Sequence, residues 1–314
     1  MTWERLGLTR RPFRATPALD LYVPVPAHES AIGLLRTAYQ GGAGLALLDG
    51  VAGTGKSLIA LRFLESLGSD VLPVYVPSAR FGSVTDLHRS ILFDLGRDYR
   101  GLPEHELRLS LVDLFLKSLA DSKRAVLVLD EAQHLSSDVL EELRLLDNWD
   151  ARGVKATFTV LVAQPELRTR LQGPEDRLIA GRIDRRVALE PLSANDARTF
   201  LRAQLEACSR RPEEVLTDEA IDWIVSRSGG IPRTLNRLAA ASFDLAVANG
   251  MDCVDLEVVM EAGAGVGLAG EPESSSTSSQ PAKSNGGGTG DAPEGRESPT
   301  GRSPKVKARN RRAA

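Results

Sequence analysis

The stretch Leu45-Ala-Leu-Leu-Asp-Gly-Val-Ala-Gly-Thr-Gly-Lys-Ser57 decides how this 314-residue chain folds. Leu45–Leu48 is a short apolar run of the kind that forms a strand buried on both faces. Lys56–Leu67 has helical periodicity. Between them lies a GxxxxGK[ST] core made of Gly50, Val51, Ala52, Gly53, Thr54, Gly55, Lys56 and Ser57. The three glycines let the main chain curl so that several N–H groups point inward, and the following helix N-terminus adds partial positive charge. That is a cradle for phosphates. Lys56 is placed to reach β- and γ-phosphates as a point charge, and the Ser57 hydroxyl to ligate Mg²⁺. An ordinary Gly-rich turn needs no strand before it and no helix after it. This segment has both, and the expected ligand is ATP with Mg²⁺.

A second signal arrives independently. Ala125-Val-Leu-Val-Leu-Asp-Glu131 is an apolar strand that ends in two carboxylates. A strand buried to its last residue delivers Asp130 to the sheet edge, where it can hold Mg²⁺. Glu131, one residue later, is placed to orient or deprotonate an attacking water. Taken alone, the pair also reads as solvated acids opening a loop; beside a phosphate loop it reads as a hydrolytic site.

Outward from these two segments the sequence alternates. Strands are expected at Leu45–Leu48, Val71–Val76, Ala125–Leu129, Thr157–Val162 and Arg186–Leu189. Helices are expected at Ala27–Tyr39, Lys56–Leu67, Val84–Leu95, Glu104–Leu119, Asp138–Leu146 and Glu166–Leu171. Strands separated by helices make an α/β fold with a parallel five-stranded sheet flanked by helices. After Pro191 the pattern becomes helical. Ser193 and Asp196 form a capping signature, Thr217 caps a second helix, Gly229-Gly230 ends it, and Pro232 opens the next. From about Ala262 the apolar pattern is lost. Ser274–Gly290 is too polar to bury the area that would offset ordering entropy.

Phosphoryl transfer also calls for arginine, because charge spreads over the γ-phosphate oxygens. Arg177, Arg182, Arg185 and Arg186 near the last strand and Arg233 at a helix start are the candidates, alongside the reading that each is solvated surface. His134 reads as a loop residue.

Together these residues resemble the AAA+ superfamily, and within it the ExeA type, the general-secretion-pathway protein A ATPases, related to the MuB and TniB transposition ATPases. The likeness covers about residues 3–262. It rests on Leu6-Gly-Leu, Arg11-Pro-Phe13, Thr16-Pro17, Gly53-Thr-Gly-Lys-Ser57, Leu127-Val-Leu-Asp-Glu-Ala-Gln133, Leu140-Glu-Glu-Leu-Arg-Leu-Leu146, Gln164-Pro-Glu-Leu167 and Gly229-Gly-Ile-Pro-Arg233. The resemblance implies that Gln164 takes the sensor 1 position, which on sequence alone is equally a strand-end cap. It implies sensor 2 for Arg233, reaching back from a helical lid. It makes Arg182 the first choice for a finger acting in trans on a neighbouring subunit, with Arg185 and Arg186 as rivals. The expected organisation is an N-terminal segment, 1–40, packing on the core; a P-loop ATPase core, 41–191; and an all-helical lid, 192–265; residues 266–314 read from their composition as a disordered tail with a basic end. The implied assembly is a homo-oligomer.

Secretion ATPases of this type continue into a transmembrane helix and an envelope region. Here the expected core runs into a Ser/Gly-rich tail, and the resemblance therefore implies fold and ATPase chemistry. Two biological readings follow: an ATPase that assembles or remodels an unidentified protein partner, and an ATP-switched DNA-binding regulator of the MuB/TniB kind.

Composition limits the alternatives. Hydrophobic residues make up 42% and charged residues 26%, as in globular chains, and aromatics only 5%, so the core must be aliphatic. Net charge is −3, yet Arg302–Ala314 holds six basic residues and no acidic one. Setting those six aside from the 39 leaves 33 against 42 acidic residues, a body at −9 with a basic tip. The tip suits DNA or an anionic surface as well as mere solvation. Cys208 and Cys253 have no metal-ligand spacing and suit a reducing compartment. The N-terminus lacks the apolar run of a signal peptide, and no stretch approaches the ~20 apolar residues of a spanning helix. A cytoplasmic location is expected.

Overall fold

The computed structural model describes residues 3–13, 19, 22–151 and 153–267. Strand β1 (Leu45–Asp49) lies inside a five-stranded sheet with β2 (Val71–Val76), β3 (Arg124–Leu129), β6 (Thr157–Ala163) and β7 (Ile183–Ala188). The order is β2-β3-β6-β1-β7 and every pairing is parallel. All residues of β1, β3 and β6 are buried. That is why these three read as unbroken apolar runs, while β2 and β7, each with one neighbour, show mixed exposure.

One sheet face packs on α1 (Pro26–Gln40) and α2 (Lys56–Ser66), with Leu35, Ile59, Phe63 and Phe158 fully buried between them. The other face carries α3 (Val84–Asp94), α4 (Glu104–Ala120), α5 (Ser137–Leu146), α6 (Pro165–Arg170) and α7 (Arg177–Ala180). Arg124 is buried at the start of β3. Its guanidinium donates to the carbonyls of Tyr39, Ala43 and Thr157 and lies over the rings of Tyr39 and Phe158, tying the N-terminal sheet edge to α1.

Two features differ from the sequence expectation. β7 begins at Ile183, not Arg186, so Arg185 and Arg186 lie within the strand rather than before it. An edge strand exposes one side to water, and its charged residues hide it from a search for apolar runs. A two-residue hairpin, β4 (Asp150–Ala151) with β5 (Val154–Lys155), precedes β6 and is too short to leave a periodic signal.

The C-terminal part is helical as expected: α8 (Ala194–Glu206), α9 (Pro212–Val215), α10 (Asp218–Ser228), α11 (Pro232–Asn249) and α12 (Leu256–Gly265). Ser193 and Thr217 accept from Asp196 N and Ala220 N as N-caps, and Gly229 closes α10 in the left-handed region. Leu6, Leu8, Phe13, Val23 and Val25 pack with these helices, whereas α1 packs on the sheet. Phe13 meets Phe243 at 5.5 Å, and Thr9 N donates to Cys208 O. Thr16 and Pro17 fall outside the described residues, as does the expected disordered tail from residue 268 on, with its basic tip.

Phe158 sits fully buried in β6, with Phe63 and Tyr39 at 6.0 and 5.8 Å. Phe158→Ala is expected to lower unfolding free energy by about 3–5 kcal/mol. Urea denaturation measures it, and a loss below about 1 kcal/mol would show that the helices of this face hold without the ring.

Candidate active site

The parallel register decides what meets at the C-terminal sheet edge. Asp49 pairs with Ala163 of β6 and Ala188 of β7, and Leu129 of β3 pairs with Leu161. The residues just beyond these ends, Gly50, Asp130 and Gln164, therefore emerge side by side.

Gly50 passes so close to the chain after β7 that a Cβ there would lie 2.3 Å from Leu189 O. Gly53 and Gly55 adopt φ values of 88° and 99°, which favour glycine. Thr54 is buried and its hydroxyl donates to Val51 O at 3.0 Å, closing the loop on itself. Val51 and Ala52 form the exposed crest. Gly55 is the N-cap of α2, whose first residues are Lys56 and Ser57. Lys56 Nζ donates to Gly50 O at 2.7 Å and to Val51 O at 2.8 Å. Burial pushes its pKa down, the Glu131 and Asp130 carboxylates support its charge, and Arg233 opposes it. The ammonium thus lies in a field set by the other candidate residues.

Asp130 is buried and its carboxylate takes two hydrogen bonds, from Tyr75 Oη at 3.1 Å and from Glu131 N at 2.9 Å. Burial and the Asp130 charge together push the Tyr75 phenol well up, so it donates and stays neutral. Glu131 has φ 58°, an uncommon value for a residue with a side chain. The turn lifts its carboxylate out of the strand direction. Gln133 Nε2 donates to Glu131 Oε2 at 2.5 Å, and Gln164 Nε2 reaches the same oxygen at 3.5 Å. Gln133 Oε1 in turn accepts from Gln164 N at 3.1 Å. One glutamine side chain therefore ties the end of β3 to the end of β6.

Arg233 stands at the start of α11. Its N–H donates to Gly53 O at 3.1 Å, and its Cβ lies 2.9 Å from where a Gly53 side chain would begin. The helical part is thereby fastened to the loop. His28 on α1 is buried beside Gly55, and burial keeps it neutral. Behind the loop, buried Asp49 pairs with Arg168 at 3.2 Å.

The structure thus gathers Lys56, Ser57, Asp130, Glu131, Gln164 and Arg233 around one loop. It does not bring Arg182 there. Arg182 precedes β7 at the opposite sheet edge, and the six residues of that strand span about 17–20 Å. Arg177, Arg185 and Arg186 are exposed on α7 and β7, and exposed His134 lies 3.4 Å from Arg80. Sequence reasoning missed the roles of Gln133, Tyr75 and His28 in this geometry. Gln133 follows Glu131 by two residues, a signal that was available; Tyr75 and His28 arrive only through tertiary packing.

These residues fit ATP with Mg²⁺. A Cβ at position 50 would strike Leu189 O and one at 53 the Arg233 side chain, so only glycine lets the loop curl this tightly, and Ser57 and Asp130 offer the hard oxygens that Mg²⁺ prefers. Among the described residues no group of three His, Cys, Asp or Glu could hold a metal.

The parallel sheet, the phosphate loop and the acidic strand end make a P-loop nucleotide-binding fold, and residues 39–171 match the family described as AAA domain. Residues 39–171 therefore carry an AAA domain. The chain is similar to general secretion pathway protein A of Aeromonas hydrophila, 33% identical over 251 residues, which is 80% of this chain and 46% of that protein. The chain therefore spans about half the length of that relative. Two solved structures share the fold. Cdc6p from Pyrobaculum aerophilum matches with TM-score 0.64 and 20% identity over 85% of this chain and 71% of its own. The Aeropyrum pernix ORC1 protein in complex with DNA matches with TM-score 0.63 and 21% identity over 83% and 70%. Among the described residues no helix is long and apolar enough to cross a membrane.

Gln133→Ala removes the link between Glu131 and Gln164 without touching the phosphate loop. The expected outcome is nucleotide affinity near wild type and turnover lowered at least tenfold, about 1.4 kcal/mol of barrier. Calorimetry and steady-state ATPase assays check the split, and an equal loss in both would contradict it.

Proposed function

We propose that this chain binds ATP with Mg²⁺ at Gly50–Ser57, hydrolyses it, and uses the cycle to assemble or remodel a partner protein complex. The observation that carries the reading is the meeting of Lys56, Asp130, Glu131 and Gln164 at one sheet edge from three different segments. The main-chain N–H groups of the loop bind phosphate oxygens, and Lys56 exchanges its two loop carbonyls for the β- and γ-phosphates. Mg²⁺ held by Ser57 and Asp130 would supply neutralising charge across those phosphates. Glu131 orients the attacking water and takes its proton, kept in place by Gln133. Gln164 contacts the γ-phosphate or that water. Arg233 carries the state of the site into the helical lid.

Arg182 serves a neighbour. Its distance from its own loop makes it useless there, and half of its side chain is exposed for a second copy to meet. A homo-oligomer follows from this role. The name of the Aeromonas relative supports a secretion-related partner, and ATP supply supports a cytoplasmic site of action. A second reading, an ATP-switched DNA binder, is favoured by the six basic residues of Arg302–Arg312.

Mixing subunits tests the core of this proposal. Arg182→Ala is expected to bind nucleotide normally yet hydrolyse ATP about 10³-fold more slowly. Adding the Glu131→Gln protein, itself inactive, restores turnover at interfaces where it lends Arg182. A specific rate that stays constant on dilution past dissociation, with no gain on mixing, would contradict action in trans. Duplex DNA added to the wild-type assay separates the readings, since only the DNA-binding one expects the rate to respond.

A further inference from the structure

Arg182 sits on the turn between α7 and β7, at the edge of the sheet far from the phosphate loop. An exposed arginine on a turn samples many rotamers, whereas a group that must meet a neighbour's phosphate needs a narrow direction. The structure supplies something to narrow it. Arg182 Nη1 lies 4.0 Å from Asp147 Oδ2, and among the described residues no other carboxylate comes as near.

Asp147 is an unusual partner. It ends α5 with its side chain only 1% exposed, donating its N–H to Leu143 O. Oδ2 accepts from Lys155 Nζ at 2.6 Å, while Oδ1 is buried with no hydrogen-bond partner. Burial pushes its pKa up; Lys155 first, and then Arg182, favour the ionised form, and Asp184 opposes it. Gly44 makes the niche possible. A Cβ there would stand 1.6 Å from Asp147 Oδ1 and 2.3 Å from Lys155 Nζ, so the carboxylate and ammonium occupy the volume a side chain would need. The niche is walled by the chain leading into β1, and Asp184 fixes that chain by accepting from Gly44 N at 2.7 Å.

We propose that Asp147, braced by Lys155 in the niche beside Gly44, is a positioning residue that aims Arg182 at the neighbouring subunit's nucleotide. The proposal rests on the trans reading of Arg182. Lys155 matches most of the buried charge at close range, so Asp147 holds Arg182 only at arm's length. That leaves the guanidinium oriented yet free to give its donors to a phosphate. A carboxylate without Lys155 would draw Arg182 inward and keep it. A neutral side chain at 147 would let it wander. Both changes spoil donation in trans and leave the subunit's own phosphate loop untouched, because the niche and the loop lie at opposite ends of β1.

Asp147→Asn and Lys155→Met in the full chain test this, with folding checked by circular dichroism. Each is expected to lower turnover of the homogeneous protein about 10–100-fold, the usual cost of losing a supporting contact, with KM for ATP unchanged. Mixing either with the Glu131→Gln protein restores turnover, because the inactive neighbour lends a correctly aimed Arg182 to an intact site. A general structural defect would slow the variant's own site whatever its neighbour, so failure of both folded variants to recover on mixing overturns the proposal. Wild-type turnover in both variants also overturns it, provided Arg182→Ala is slow. If Arg182→Ala itself is fast, the trans reading has failed and the proposal with it. Should Asp147→Asn not fold, Lys155→Met decides alone.

Discussion

The in-register ladder of β3, β6 and β1 is the constraint on which the rest of the structure depends. Side chains in a strand alternate faces, so a slip of one residue between β1 and β6 would turn each apolar residue of the moved strand toward the wrong layer. Both faces here are covered by helices and the three strands are wholly buried, which fixes the register strongly. The fixed register brings Gly50, Asp130 and Gln164 out at one edge. It also carries Gly44 and Arg182 to the other. The chemistry of the two edges is thus set by packing in between that has no chemistry of its own.

Asp130 and Lys56 are costly to bury and are compensated. Asp130 accepts from a tyrosine and a main-chain N–H, and Lys56 donates to two loop carbonyls. These contacts can be exchanged for phosphate and metal ligands of greater charge, so ligand binding replaces satisfied hydrogen bonds with stronger, charge-assisted ones. Glu131 is different. It stands in the left-handed region, held by Gln133 and near Gln164. A residue kept in a sparsely populated conformation by its neighbours is what a positioned catalytic group requires.

Much of this was legible in the chain. The phosphate loop announces itself through glycine spacing, and the three buried strands β1, β3 and β6 through apolar runs, because a fully buried parallel strand has few polar positions to confuse the pattern. β7 was legible only in part: its exposed arginines follow from its edge position, which sequence does not state. The relation of Gln133 to Gln164, the donation from Tyr75 and the niche holding Asp147 depend on which loops face each other. Asp147 in particular reads as an ordinary helix-ending aspartate until Gly44 and Lys155 are seen to enclose it. Capping signals at Ser193 and Thr217 were readable because their physics is local.

Binding of ATP at Gly50–Ser57 is the central claim, and calorimetric titration of MgATP into wild-type and Lys56→Ala protein tests it most directly. Lys56 is the only cation carried by the loop itself, and its ammonium is already supported by Glu131 and Asp130. The account predicts saturable one-site binding to the wild-type protein and loss of measurable tight binding in the variant. Near-wild-type affinity in Lys56→Ala would contradict it.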